Sequence, residues 1–300
     1  MTDTARGHLA MLAFSALVAG SFSLGSMTAN HIDPAAFNAV RFVIGAAVVA
    51  GLVLSQGGFQ ARDFRAPWRY LVLGGLFGAY FVLMFEGLKT ALPVSAAAVF
   101  TLTPIMTAGF GFLLLRQIMT ARMALALSTG AAGALWVIFR ADLSALLAFQ
   151  VGRGEVIYFI GCICHAVYTP MVRVLNRGES APVFTFGTMT GGALVLFGWG
   201  WSDVVATDWA ALPGIVWITL AYTAVFASAV TIVLLQFATL RLPSSKVMAY
   251  TYLTPTWVIG WEFFLGNGLP SAFVLGGVAL TCVALLLLLK DEGNVAPDQG

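Results

Sequence analysis

Charge is what this 300-residue chain most lacks. Asp, Glu, Lys and Arg together make up only 9% of it, where a water-soluble domain carries about a quarter. Hydrophobic residues make up 60%. So little polar surface cannot cover a body in water, and the chain is read as a bilayer protein. Its 13 acids are dispersed and form no D-x-x-D set, which argues against a metal–pyrophosphate enzyme of the membrane. No Walker motif or Gly-rich phosphate loop is present, so ATP drive is not supported. Cysteine is also scarce, with three in all. Cys162 and Cys164 point about 200° apart around a helix, and with Cys282 they are read as small buried hydrophobes rather than a disulfide or zinc site. No catalytic residue, metal, cofactor or nucleic-acid partner is expected.

What the chain has is long apolar runs. Ten of them span roughly 9–29, 35–55, 68–88, 93–115, 120–140, 154–175, 182–201, 212–236, 244–265 and 270–289, near the ~20 residues a membrane helix needs. Unbroken runs such as Val278–Leu289 exclude the alternating strands of a β-barrel. Arg6 and the small residues Ala19-Gly20-Ser21 weakly resemble a signal peptide, but removing the first run would leave nine, so it is read as a retained span. With the N-terminus placed inside, eleven Lys and Arg (Lys290 among them) fall inside and three outside; only Arg41 lies well within a run. The positive-inside rule then puts both termini in the cytoplasm.

Leu102-Thr103-Pro104 and Leu253-Thr254-Pro255 recur 151 residues apart, each inside an apolar run. Leu92-Pro93 and Leu242-Pro243 precede those two runs in the same way, on opposite expected sides of the membrane. The reading is an all-α integral membrane protein of ten transmembrane helices in two inverted five-helix repeats, 1–150 and 151–300, the second with a short C-terminal tail. Pro104 has no N–H for the carbonyl of Phe100, and Pro255 none for Thr251. In hydrocarbon such carbonyls need a protein or water partner, which places the kinks, Pro104 and Pro255, on an internal pathway or, on the plainer alternative, in a packing bend.

These features together resemble the drug/metabolite transporter superfamily, within its EamA-type branch of ten-helix exporters. Asp33-Pro34 followed by Arg41, and the small-residue stretch Val94–Ala98, are similar to the family pattern. The family's Gly-Glu at the ends of the fourth and ninth spans is absent; Leu115-Arg116 and Gly266-Asn267 stand there. The resemblance, closest to exporters of aromatic and neutral amino acids, implies a path between helices 1, 3, 4 and 6, 8, 9, with helices 5 and 10 peripheral. It implies a secondary exporter of small amphipathic metabolites working by alternating access at a central cavity. The alternatives are a drug or quaternary-ammonium exporter and, from another class, an integral membrane transferase. The expected location is the bacterial inner (plasma) membrane. The partners are a small-molecule substrate and the lipid bilayer; the oligomeric state is left open, and a monomer suffices.

Candidate substrate-binding residues follow from helical spacing. Tyr250, Thr254, Trp257 and Trp261 repeat at i, i+4, i+7, i+11, as do Tyr158, Cys162, His165 and Thr169. Tyr80 and Met84 come from the third run, Phe100, Thr103 and Thr107 from the fourth, Tyr222 and Phe226 from the eighth, with Gln236 nearer its end. Such a lining suits aromatic side chains and draws an ammonium by cation–π contact. Packing is the competing reading of both stripes, and an interior hydrogen-bonded role that of His165. Arg41 is read as a structural anchor, Glu86 and Glu262 as hydrated end residues. Gly74-x3-Gly78 and Gly187-x3-Gly191, with Gly45, Gly130, Gly133 and Gly276, are expected where helices approach closely.

Overall fold

The computed structural model describes residues 2–118, 120–147 and 151–289. Lys290, counted above among the inside charges, lies outside them. Among the described residues the secondary structure is helical, with no strand. The helices are α1 (Asp3–Thr28), α2 (Pro34–Ser55), α3 (Trp68–Leu88), α4 (Pro93–Phe100), α5 (Thr103–Leu115), α6 (Ala121–Ile138) and α7 (Leu143–Leu147). They continue as α8 (Arg153–Leu175), α9 (Ala181–Ala206), α10 (Gly214–Ala224), α11 (Thr231–Thr239), α12 (Ser244–Ala249), α13 (Thr254–Phe264) and α14 (Ala272–Leu289). Among the described residues, eight helical segments are long and apolar enough to cross a membrane: α1, α2, α3, α4 with α5, α6, α8, α9, and α10 through α11. Every apolar run of the sequence is helical. The other two runs are helical as well: α14 has the same 18 residues as α6, and the run at 244–265 is interrupted at Tyr250–Leu253 as the run at 93–115 is at Thr101–Leu102.

Polar residues set where helices begin. Asp33 accepts from the N–H groups of Ala35 and Ala36 at 2.7 and 3.2 Å, ahead of Pro34 in the first turn. Thr2 and Thr120 cap α1 and α6 in the same manner, each satisfying a donor that the first helical turn leaves free.

The packing separates a centre from two flanks. In the centre, α1 rests on α11 and α13, α3 on α8 and α9, and α5 on α8 and α12. On the flanks α2 pairs with α9, and α6 with α14. Glycine permits the closest crossings. A methyl on Gly74 would collide with the Gly192 nitrogen and Thr188 oxygen, and one on Gly133 with the Gly277 carbonyl. The expectation at Gly276 is corrected by one residue: Gly276 faces open space, and its neighbour Gly277 makes the contact.

At one end of the bundle, Arg69 at the start of α3 is fully buried. It pairs with Glu179 at 2.6 Å and also donates to the carbonyls of Ala66 and Leu175. Nearby, Arg173 donates to the carbonyls of Thr239 and Leu242. At the other end Lys89 meets Glu86 at 2.6 Å, and the buried Glu155 accepts from the Ser95 hydroxyl at 2.8 Å.

Candidate functional site

The two Leu-Thr-Pro triplets sit where helices break. Thr101 and Leu102 form a turn between α4 and α5; a 3-10 turn over Tyr250–Leu253 separates α12 from α13. Pro104 and Pro255 are both buried. The two carbonyls expected to be stranded are not. Phe100 accepts from the Thr103 hydroxyl at 2.6 Å, and Thr251 accepts from the Thr254 N–H. At Thr251 the tighter 3-10 geometry supplies a shorter-range donor and at Phe100 a side-chain hydroxyl does, so neither carbonyl is an open acceptor. The two breaks touch: the Thr103 and Thr251 hydroxyl oxygens are 3.4 Å apart.

Beside this crossing lies a closed aromatic cluster. Tyr80, Phe100, Tyr158 and His165 are fully buried and meet there. The His165 ring lies 4.6 Å from Tyr80 and 5.4 Å from Phe100, both edge-on. The Tyr80 and Tyr158 hydroxyls are hydrogen-bonded at 3.1 Å. Phe22 of α1, Phe77 and Tyr168 complete the cluster. These rings pack on one another rather than lining a wide pocket. Met84 borders a cavity of about 10 Å³ with Ser21, Phe81, His165, Ala227 and Thr231, close to the least volume that holds one water. The whole stripe at Tyr158, Cys162, His165 and Thr169 is buried.

The second stripe runs along α1. Tyr250 meets His8 at 3.0 Å, and the Trp257 indole N–H donates to the Ser15 hydroxyl at 3.2 Å. Tyr222 donates to the Leu17 carbonyl at 2.9 Å, with its ring 5.7 Å from Trp261. Trp257 is 41% exposed, whereas the Thr254 hydroxyl is buried without a partner. The candidate residues therefore form two groups, both against α1. Tyr80, Met84, Phe100, Tyr158 and His165 are in one, and Tyr222, Tyr250 and Trp257 in the other. Thr103 and Thr254 sit at the helix breaks.

Arg41 and Gln236 also belong to this centre. Arg41 of α2 is fully buried and reaches a π-helical turn at Val225–Val230, donating to the Ser228 hydroxyl at 2.7 Å and the Ala227 carbonyl at 3.0 Å. Its guanidinium lies 3.7 Å from the centre of the Phe81 ring. Gln236 donates to Tyr168 and accepts from Thr185. A signal for one further pair was present in the sequence: Arg6-Gly7-His8 opens the first run and Arg153-Gly154-Glu155 the sixth. Gly7 packs on Leu242, and Gly154 on Thr90 and Ala91, so the paired glycines face the paired loops. No cluster of three metal-ligating side chains exists among the described residues.

The EamA-like transporter family matches this chain twice in succession, over residues 5–139 and 152–290. A relative from Bacillus subtilis (strain 168), described as an uncharacterized transporter YyaM, is 26% identical over 274 residues, covering 90% of each chain. A solved structure described only as a crystal structure of a protein superposes with a TM-score of 0.71 at 20% identity, over 95% of this chain and 96% of the other. That likeness shows a shared fold.

Proposed function

The chain belongs to the EamA-like transporter family, and on that premise we propose that it is a secondary exporter of small amphipathic metabolites, foremost neutral and aromatic amino acids. It is a multi-pass membrane protein of a transporter family. Its ten apolar runs act as ten spans, in two inverted sets of five joined near residue 150, with both termini on the cytoplasmic face of a bacterial inner membrane. The two halves rock about the central cluster and open it to either side in turn.

The observation that carries this reading is the contact between the two broken helices. Thr103 and Thr251, from separate halves, meet beside the buried rings of Phe100 and His165. Two helices broken at matching places and touching at their breaks form a joint about which one half moves against the other. The double family match and the paired Gly7 and Gly154 contacts support the duplication. The aromatic lining suits an aromatic side chain. A quaternary-ammonium substrate is less well served, because no acid touches this centre among the described residues.

Counterflow in proteoliposomes tests the proposal. Labelled phenylalanine, leucine and a quaternary amine are offered to vesicles preloaded with the same solute, without ATP. Exchange of the amino acids above empty-vesicle background is expected. Exchange of the amine alone would move the protein to drug export, and background rates throughout would end the substrate assignment.

A further inference from the structure

We infer that the central cavity is built to receive an anion, the carboxylate of the transported solute, with Arg41 as its fixed countercharge. The inference rests on the transport reading above, and it names the part of the substrate that this site selects.

Arg41 and Arg69 are both fully buried arginines, and the contrast between them is the starting point. Arg69 has a carboxylate, Glu179, at 2.6 Å. Arg41 has none within ion-pair reach among the described residues. Its three hydrogen bonds go to neutral acceptors: Ser228 at 2.7 Å, the Ala227 carbonyl at 3.0 Å and Asn38 at 3.3 Å. A guanidinium has five N–H donors, so two remain. Burying a charge without a counterion is costly, and an ionisable residue inside a membrane marks a functional site by default. The π-helical turn that supplies Ala227 and Ser228 is itself a feature concentrated at functional positions.

The cavity lies one residue away from this charge, which does not itself line it. Phe81, whose ring carries the Arg41 guanidinium at 3.7 Å, lines it, and so does Ala227. Two further lining groups are buried with nothing to bond: the Ser21 hydroxyl and Nδ1 of His165. A hydroxyl and an imidazole are both able to donate to a carboxylate. One positive charge across a single ring, two unpartnered polar groups and no acid make a seat for a negative group. A lone cation placed there would meet Arg41 with nothing to balance it. The seat measures about 10 Å³, so a solute fits only when α1 and α3 draw apart from α11.

The test separates the two charges of the solute. Proteoliposomes exchanging labelled phenylalanine are challenged with 3-phenylpropionate, which lacks the ammonium, and with phenylalaninamide, which lacks the carboxylate. The acid is expected to compete and the amide to fail. R41M should raise the KM for phenylalanine by about ten-fold or more, with R41K recovering much of it, because charge rather than shape is what Arg41 supplies. Ser21→Ala, which removes an unbonded hydroxyl, should leave thermal stability unchanged and raise the same KM; it decides the matter where R41M does not fold. Equal competition by acid and amide, or an unchanged KM in Ser21→Ala, would overturn the site. Should no solute exchange, thermal-shift titration of the full chain with acid and amide still decides: stabilisation by the acid alone upholds the anion seat while the amino-acid reading falls, and no difference removes the seat.

Discussion

Thr103 and Thr251 place their hydroxyl oxygens 3.4 Å apart across 148 residues of chain. Each hydroxyl also donates to its own broken helix, Thr103 to the Phe100 carbonyl at 2.6 Å and Thr251 to the Met248 carbonyl at 2.8 Å. The contact between the helices is therefore loose, while each break is repaired locally. On the proposed rocking motion, such a contact can turn without leaving a bare backbone group in hydrocarbon.

Removing the repair should cost stability. Thr103→Val leaves the buried Phe100 carbonyl without its donor, an expected loss of about 1–3 kcal/mol. Thr103→Ser restores the hydroxyl and most of the loss. Thermal unfolding in detergent reads both, and a Val variant as stable as the parent would show that Phe100 finds its partner elsewhere.

Acid should loosen the end of the bundle where Arg69 meets Glu179. Burial acts to raise the Glu179 carboxyl, but hydrogen bonds from Arg69 and from the Arg177 N–H, with the Arg69 charge, outweigh it and hold the group below its ordinary value of 4.5. A carboxyl lowered by folding stabilises the folded chain above its unfolded pKa and loses that contribution as pH falls through the folded value. Melting temperature should thus drop below about pH 4.5 in the parent. Glu179→Gln should start lower, by about 2 kcal/mol, and lose less on acidification. Parallel pH curves for the two proteins would remove Glu179 from this role.

The sequence made some of this architecture legible and hid the rest for physical reasons. Asp33-Pro34 stands out in the sequence only as part of a family pattern, and the structure gives Asp33 its local use as the cap of α2. Tyr250 and Trp257 both reach α1, at His8 and Ser15, across a short 3-10 turn, while Trp261 meets Tyr222. Arg41 was visible as a charge inside an apolar run, but Ser228 and the π-helical turn that receive it leave no mark in Val225-Phe-Ala-Ser-Ala-Val230. Arg69 and Glu179 lie 110 residues apart, and neither position announces the other. Pro104 and Pro255 mark the places of the breaks but not their chemistry, since a carbonyl freed by Pro104 is within reach of the threonine just before it.

The glycines separate contact from coincidence. Gly74→Ala should destabilise the chain, because its new methyl meets the backbone of Thr188 and Gly192, which cannot swing away. Gly276→Ala should stabilise by about 0.5–1 kcal/mol, since nothing lies within 4 Å and alanine restricts the unfolded chain. Thermal unfolding of the pair is the check, and equal effects would mean that the α3–α9 crossing is looser than drawn.

Trp257 sets function against packing most directly. Its indole is 41% exposed, and its one hydrogen bond goes to Ser15, which also donates to the Leu12 carbonyl. Deleting a side chain this exposed opens little cavity, so Trp257→Ala should change stability by no more than about 1 kcal/mol. If α1 and α13 part during transport, the ring and its bond to Ser15 are what re-form the seam, and counterflow should slow markedly in Trp257→Ala. Trp257→Phe keeps the ring and loses the N–H, as Ser15→Ala loses the acceptor; the two should behave alike and fall between parent and Ala variant. A Trp257→Ala protein that unfolds would assign the indole to packing. One that folds and transports at the parent rate would take the α1–α13 seam out of the transport cycle.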